Sequence, residues 1–270
     1  MQRPRLVASD VDGTLLNTAE AISPRTAAAI AAVRAAEVPF VLVSGRPPRW
    51  IGPVSSDGLI DGYAVCANGA VLYDIDADRV LGSHPIPAVL LRDVVHTLDA
   101  ALPGTTIAVE RIGDSAFGLD GREFLIEDGY RHAWTGDPHQ ISPRDEMLGK
   151  PAVKLLVRTP GATSAEIAAA AEAVVGGAVQ ITYSTNVGMI EVSAAGVTKQ
   201  TGLAEVAGWL DVAAEDIVAF GDMPNDVPML RWVGHGVAMA NGHADALAAA
   251  DEVTAANTED GVAQVLERWF

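Results

Sequence analysis

The sequence predicts an α/β protein with a doubly wound parallel-sheet core and a smaller α+β domain inserted into it. Near both ends of the chain, short apolar runs alternate with longer helical patterns, which is typical of strand–helix–strand units around a parallel sheet. From residue 71 the pattern changes to a hairpin followed by mixed helices and strands. With 270 residues, of which 49% are hydrophobic, the chain is long enough for two modest domains.

The first third is predicted to hold three buried strands and a helix. Ser23 and Pro24 indicate where that helix starts, because serine caps helix N-termini and proline fits the first helical position. The alanine-rich segment that follows continues the helix to about residue 36. The strands are expected over residues 6–11, 40–43 and 63–67, and a hairpin over 71–74 and 79–81.

The middle of the chain predicts a separate module. Thr163 and Glu166 have the spacing of a capping box and indicate a helix there. A further helix is expected over 87–101, with strands over 106–110, 116–119, 153–158 and 179–183. The strand–helix alternation resumes with strand 189–192, helix 198–209 and strand 217–220. The core is therefore predicted to comprise residues 1–82 and 189–270, and the inserted α+β domain residues 83–188.

The composition excludes several classes of partner. The 18 Lys and Arg residues against 35 Asp and Glu give a formal net charge of -17, so the protein repels nucleic acid and anionic membranes. Cys66 is the only cysteine, which rules out an intrachain disulfide and a cysteine-based zinc site. Since no uncharged apolar run reaches the roughly 18 residues that a membrane span needs, we expect a protein of the reducing cytoplasm.

Two pairs of aspartates follow predicted core strands. Asp10 and Asp12 end the first strand, and Asp222 and Asp226 follow a late one. Because the carboxyl ends of parallel strands meet at one edge of a sheet, we expect the four carboxylates to converge. Their repulsion calls for a cation, and an all-oxygen ligand set favours Mg²⁺ over zinc. Either pair alone is also typical of an ordinary turn.

Two further segments suit an anion. Ser44, Gly45 and Arg46 end the second core strand, where a hydroxyl and free backbone N–H groups can hold a phosphate oxygen, although Ser-Gly is also a plain turn. Arg46 can face the site or form a surface ion pair. Lys199 begins a predicted helix, where the helix dipole disfavours a cation. This position indicates an anion or carboxylate cluster nearby, or else a solvated surface lysine.

Together these segments resemble the haloacid dehalogenase-like (HAD) superfamily of phosphohydrolases, and more narrowly its Cof-type branch with a large α/β cap, subclass IIB. The four motifs stand in family order at residues 10–15, 43–46, 199 and 221–226. The turn at 68–70 and the segment 236–241 are similar to that branch as well. The resemblance covers essentially the whole chain. It implies a Rossmann-like catalytic core, a cap that sets specificity, and a phosphatase for small phosphorylated metabolites, above all sugar phosphates.

The resemblance also implies the chemistry of the aspartates. Asp10 is the nucleophile that becomes an aspartyl-phosphate, and Asp12 is the general acid for the leaving alcohol and the base for the attacking water. Mg²⁺ is implied to bind the Asp10 carboxylate, the Asp12 backbone carbonyl and Asp222. Asp226 is implied to hold these ligands in position without binding the ion itself.

The remaining motif residues are implied to bind the phosphoryl group. This set comprises Ser44, Gly45, Asn225 and Lys199, and Lys199 also pairs with Asp10 as a catalytic residue. Electrostatics requires the same groups, because a carboxylate attacks a phosphate dianion only when the charge between them is neutralised. One Mg²⁺ and one lysine supply that neutralisation.

Two alternatives remain open from the sequence. A phosphotransferase or mutase passes the phosphoryl group to a second alcohol instead of water. A non-catalytic sensor binds Mg²⁺ and a phosphorylated metabolite without turnover, but it has no need of an acid/base such as Asp12 beside Asp10. In the predicted cap, His132 and Trp134 are candidates to line the substrate pocket, or else pack within the cap.

Overall fold

The computed structural model of the chain describes residues 2–55, 59–131 and 139–270. It divides into two compact units, a core unit of Met1–Leu81 with Thr198–Phe270, and an inserted unit of Gly82–Val197. In chain order the strands are β1 (Leu6–Ser9), β2 (Phe40–Val43), β3 (Tyr63–Cys66), β4 (Val71–Asp74), β5 (Arg79–Ser83), β6 (Thr106–Glu110), β7 (Phe124–Ile126), β8 (Gln140–Ile141), β9 (Lys154–Arg158), β10 (Val179–Thr182), β11 (Met189–Ala194), β12 (Ile217–Gly221), β13 (His235–Met239) and β14 (Glu252–Thr254). The helices are α1 (Pro24–Ala35), α2 (Ala88–Ala101), α3 (Arg144–Leu148), α4 (Ser164–Val175), α5 (Lys199–Trp209), α6 (Val227–Trp232), α7 (Ala244–Ala249) and α8 (Gly261–Leu266).

The core unit is built on a parallel sheet. The eight strands run in the order β14-β13-β12-β1-β2-β3-β4-β5. Neighbours from β14 to β3 pair in parallel, and β4 returns antiparallel to β3. Strands such as Leu6–Ser9 and Phe40–Val43 are short, apolar and buried throughout, as strands covered on both faces must be. The predicted fold class, a parallel α/β core with an inserted α+β unit, is confirmed.

Strand register brings the ends of β1, β2 and β12 to one edge of the sheet. Ser9 of β1 pairs with Phe220 of β12 on one side and with Leu42 of β2 on the other. The segments that follow these strands therefore leave the same edge side by side. They are the segments that carry the predicted aspartates and Ser44.

The inserted unit has a six-stranded sheet in the order β10-β11-β9-β6-β7-β8. Its pairs are antiparallel apart from β7 with β8. Helices α2 and α4 pack against each other, and residues such as Leu98, Val109 and Ile167 form their common core with the sheet. None of the helices in the described part of the chain combines the length and the apolar character that a membrane span requires.

The strand predicted over 116–119 is wrong. That segment forms turns, and the side chain of Phe117 is exposed. Its neighbours fold back on themselves, because a Cβ built on Gly113 would lie 2.8 Å from the carbonyl carbon of Gly118. A backbone packed this closely against itself has no room for a sheet partner, and the strand forms instead at Phe124–Ile126.

The predicted return to the core at residue 189 also differs from the structure. Strand β11 pairs with β9 and β10, and its Ile190 and Val192 pack into the core of the inserted unit. The core unit resumes only at Thr198. A buried strand has the same apolar pattern in either sheet. The pattern therefore predicts the strand but not the strands with which it pairs.

Candidate active site

Asp10 lies directly after β1 and is held against β12. Its backbone N–H donates to the Phe220 carbonyl at 2.9 Å. The chain then makes a wide turn over Val11–Leu15, closed by the Leu16 N–H on the Val11 carbonyl at 2.9 Å. Gly13 has a φ of 75°, and a Cβ at this position would lie 2.3 Å from Asp222 Oδ2. Glycine is therefore required both for the turn and for the approach of Asp222.

Lys199 is buried between two carboxylates. Thr198 caps α5, and the helix start sits against Gly69, where a Cβ would lie 2.1 Å from the Thr198 carbonyl oxygen. The Lys199 ammonium donates to Asp10 Oδ1 at 2.5 Å and to Asp226 Oδ1 at 2.6 Å, with only 1% of the side chain exposed. Of the two sequence interpretations, the carboxylate cluster is correct and the surface lysine is wrong.

Asp226 is held from both sides. Its Oδ2 accepts the backbone N–H groups of Asp222 at 3.0 Å and Met223 at 2.9 Å, while its Oδ1 accepts from Lys199. Asp222 in turn accepts from the Thr14 hydroxyl at 3.2 Å. Both oxygens of Asp226 are thus committed to protein donors, which suits a residue that orders its neighbours.

The electrostatics of this cluster show an excess of negative charge. Burial, together with the charges of Asp226 and Asp222, raises the pKa of Asp10 well above its usual range despite the nearby Lys199. Burial and the Asp226 carboxylate raise the pKa of Asp222 to about 7. Burial disfavours the Lys199 ammonium, but Asp10 and Asp226 outweigh it and raise the pKa of Lys199. One lysine does not balance three buried carboxylates.

The donor set fits a divalent cation. One carboxylate oxygen of each of Asp10, Asp222 and Asp226 lies within 4.8 Å of the other two, although those of Asp226 already accept from protein donors. All the donors are hard oxygens, and burial together with the neighbouring carboxylates raises the pKa of Asp10 and of Asp222, so a bound cation would favour their ionised forms. Mg²⁺ fits this site, because it carries two positive charges and prefers oxygen ligands.

Asp12 does not join this cluster, contrary to the expected convergence of all four carboxylates. It lies within the wide turn over Val11–Leu15, and 54% of its side chain is exposed. Its carboxylate forms a two-fold ion pair with Arg46, from Nε to Oδ2 at 2.8 Å and from Nη2 to Oδ1 at 2.6 Å. Arg46 therefore makes an ion pair, and its partner is a predicted site residue.

The predicted phosphate-binding residues surround the turn that follows β3. Ser44 is fully buried, and its hydroxyl oxygen accepts the Arg46 backbone N–H at 3.0 Å, with Gly45 between them. Asn68, which has a left-handed φ of 59°, donates its backbone N–H to the Ser44 carbonyl at 3.0 Å. Its Oδ1 accepts from Asn225 Nδ2 at 3.1 Å, which leaves the second N–H of that amide for a ligand. Asn68 thus links Ser44 and Asn225.

Two asparagines that the sequence did not single out hold the turn after Asp10. Asn241 donates to the Gly13 carbonyl at 2.8 Å, and Asn257 donates to the Leu16 carbonyl at 2.8 Å. The Asn257 backbone N–H also donates to Asn241 Oδ1 at 2.9 Å. The available signal for Asn241 was its place in the family-like segment 236–241. His132 and Trp134 lie outside the described residues.

The family model of haloacid dehalogenase-like hydrolases matches residues 7–266, and the chain belongs to this family. The pyridoxal phosphate phosphatase of Escherichia coli is 29% identical, and the match covers 97% of each chain. The 5-amino-6-(5-phospho-D-ribitylamino)uracil phosphatase of Bacillus subtilis is 27% identical over 98% of this chain and 95% of the relative. A solved HAD subclass IIB sugar phosphatase has the same fold, with a TM-score of 0.82, 22% identity and 98% of each chain covered.

These similarities confirm the predicted family, its Cof-type branch and the enzyme class, a HAD-type phosphatase. They agree with the geometry, in which the motif segments stand at one edge of the core sheet.

Proposed function

We propose that the protein is a Mg²⁺-dependent phosphatase that hydrolyses small phosphorylated metabolites through an aspartyl-phosphate at Asp10. The observation that carries this proposal is Lys199, buried in contact with both Asp10 and Asp226. A non-catalytic binding protein has no need of an acid/base such as Asp12 beside Asp10. A nucleophilic carboxylate with a fixed ammonium beside it is suited to phosphoryl transfer.

Asp10 and Asp12 divide the covalent chemistry. An Asp10 oxygen attacks phosphorus and forms a P–O bond while the bond to the leaving alcohol breaks, and Asp12 gives its proton to the departing oxygen. Asp12 then takes a proton from the water that attacks the aspartyl-phosphate. That step releases inorganic phosphate, restores the Asp10 carboxylate and returns the proton to Asp12.

The remaining residues orient these reactants. Lys199 favours the ionised form of Asp10 and can share its ammonium with a phosphoryl oxygen, while Asp226 fixes the lysine. Ser44, the Gly45 backbone and Asn225 supply further hydrogen bonds to the phosphoryl oxygens. We propose that the inserted unit supplies substrate specificity.

The Asp10 carboxylate, the Asp12 backbone carbonyl and Asp222 would hold Mg²⁺, with Asp226 ordering the backbone behind them. When bound, the ion neutralises charge between the nucleophile and the phosphate dianion. The oxygen-only donor set and the raised pKa of Asp222 support this assignment.

Small phosphorylated metabolites, sugar phosphates above all, are the proposed substrate class. Support comes from the family and from relatives named for pyridoxal phosphate and for a phosphoribitylamino-uracil, both small phosphate esters. A cytoplasmic location remains the prediction made from the sequence.

Phosphate release from a panel of sugar phosphates, nucleotides and an aryl phosphate tests the proposal, with Mg²⁺ and with chelator. Asp10→Asn should be inactive, because an amide cannot serve as the nucleophile. Asp216→Asn, which alters an aspartate paired with Arg5 at 3.4 Å, should retain full activity. Mg²⁺-independent release, or full activity of Asp10→Asn, would contradict the proposal. Transfer to an added sugar in place of phosphate release would favour the transferase, and tight binding without release the sensor.

A further inference from the structure

We propose that Arg46 is a positioning residue that sets the orientation of the Asp12 carboxylate for proton transfer. The inference rests on the proposed function, in which Asp12 is the acid and base. Its evidence is the two-fold ion pair between the side chains, with one hydrogen bond of 2.8 Å and one of 2.6 Å. Among the described residues, Arg46 is the one that donates hydrogen bonds to the Asp12 carboxylate.

Arg46 is the fixed partner of this pair. Its backbone N–H donates to Ser44 Oγ at 3.0 Å, and its carbonyl accepts the Ala67 N–H at 2.9 Å. Its Nη1 reaches the Trp50 carbonyl at 3.4 Å. Only 16% of the Arg46 side chain is exposed, against 54% for Asp12. The half-buried arginine is therefore anchored at both its backbone and its side chain, and it restrains a carboxylate that is otherwise open to solvent.

The geometry of the guanidinium determines what it can do for Asp12. A planar fork holds both oxygens of a carboxylate and so fixes the plane of the group, which a lysine ammonium does not. During turnover one Asp12 oxygen must face the leaving oxygen, and Arg46 retains the other. Arg46 itself gains and loses no proton. Its effect falls on the step in which Asp12 protonates the leaving group.

This role predicts a dependence on the leaving group. An alkyl phosphate expels an alkoxide, which needs the proton of Asp12, whereas p-nitrophenyl phosphate expels a phenolate that leaves without one. The first turnover isolates this step, because it precedes hydrolysis of the aspartyl-phosphate. Loss of positioning should therefore slow alkyl esters much more than the aryl ester.

The experiment measures first-turnover rates of leaving-group release for Arg46→Met and Arg46→Lys. With a sugar phosphate, Arg46→Met should be slower by about 10²-fold, the usual size of a misplaced acid–base group, but by less than about fivefold with the aryl ester. Arg46→Lys keeps the charge and should remain at least about tenfold slow with the sugar phosphate, because it lacks the fork. In an Asp12→Ala background, Arg46→Met should add little further loss.

The chain offers a matched control. Arg25 forms the same fork with Glu267, at 2.8 Å from Nε and 2.6 Å from Nη2. Arg25→Met should leave both rates unchanged. Equal losses on both esters, or full recovery in Arg46→Lys, would overturn the positioning role. If Arg46→Met fails to fold, Arg46→Lys alone decides between these outcomes. A wild-type protein that releases neither leaving group would contradict the proposed function and the inference together, whereas an active wild type with unselective variants would contradict only the inference.

Discussion

Both units of the protein bury a lysine against carboxylate, but with different results. In the inserted unit, Lys154 pairs with Glu191 at 2.5 Å, and the other Glu191 oxygen accepts from the Ser184 hydroxyl at 2.6 Å. Each oxygen of that carboxylate therefore has its own donor. In the core unit, Lys199 serves Asp10 and Asp226 together, and Asp222 adds a third carboxylate.

The difference separates a structural ion pair from a functional one. A carboxylate with a donor on each oxygen, such as that of Glu191, has little residual demand for a ligand. A cluster with excess negative charge is unstable alone and becomes favourable when a cation or another positive group enters. The distinguishing feature is thus the charge balance, and burial of a lysine by itself does not reveal function.

Among the variants that test this comparison, Lys199→Met should have the largest effect. Turnover should fall by about 10²–10³-fold, the usual loss for one group that stabilises transition-state charge. Leaving Asp10 and Asp226 without their shared ammonium should also lower the free energy of unfolding by about 3–5 kcal/mol. Steady-state kinetics with p-nitrophenyl phosphate and urea denaturation measure the two effects. Near-normal turnover would mean that the core lysine is as structural as the inserted one.

The matched variant Lys154→Met should change stability without changing chemistry. It leaves Glu191 buried without this ammonium, so we expect a loss of about 3–5 kcal/mol in the free energy of unfolding. The double variant Lys154→Met/Glu191→Leu should recover much of that loss. Turnover of the aryl phosphate, measured per folded molecule, should match the wild type. A selective fall in turnover would remove the distinction between the two lysines.

Mg²⁺ should stabilise the core cluster measurably. At 100 times its dissociation constant the ion should add about 2.7 kcal/mol to the free energy of unfolding. Asp222→Asn should lose most of this increment, and in chelator it should unfold at a higher temperature than the wild type, because it relieves repulsion among the carboxylates. Thermal unfolding with and without Mg²⁺ measures both. If the increment persists in Asp222→Asn, the ion is bound elsewhere.

Elements with strong local signals could be predicted from the sequence. Ser23 does accept the Thr26 N–H at the start of α1, and Thr163 and Glu166 do form a capping box. The boundary between the inserted unit and the core unit could not be predicted near residue 189, because the sequence of an apolar strand does not indicate which strands it pairs with. The turns at 116–119 depend on the close approach of Gly113 and Gly118, which is a tertiary contact.

Some features of the active site could likewise be predicted from the sequence, and others could not. Asp10 and Asp222 meet because β1 and β12 are parallel neighbours, and strand ends share an edge. Asp12 lies in the wide turn over Val11–Leu15, beyond the end of β1, where the alternation of side chains along a strand no longer applies. The contacts of Asn241 and Asn257 depend on how far the loops after β13 and β14 reach across to that turn.

A surface carboxylate should give the smallest effect. The Arg268 hydrogen bond lowers the pKa of Glu252 below its ordinary 4.5, with a smaller contribution from His235. The resulting stability is present above the ordinary pKa and is lost as the pH falls through the lower folded-state pKa. Glu252→Gln should therefore cost at most about 1 kcal/mol near neutral pH, and less in acid. Urea denaturation of the wild type and the variant, at neutral pH and in acid, checks this prediction. An equal loss in the free energy of unfolding at the two pH values would contradict it.

The division of the core between the two ends of the chain affects the order of folding during synthesis. Leu6 of β1 pairs with Ile217 of β12. One of the two strands next to β1 is therefore synthesised only in the last third of the chain. The inserted unit is continuous from Gly82 to Val197 and can fold while the ribosome is still translating. We therefore expect nascent chains stalled near residue 230 to protect the inserted unit from protease but not β1. Early protection of β1 would disprove this order.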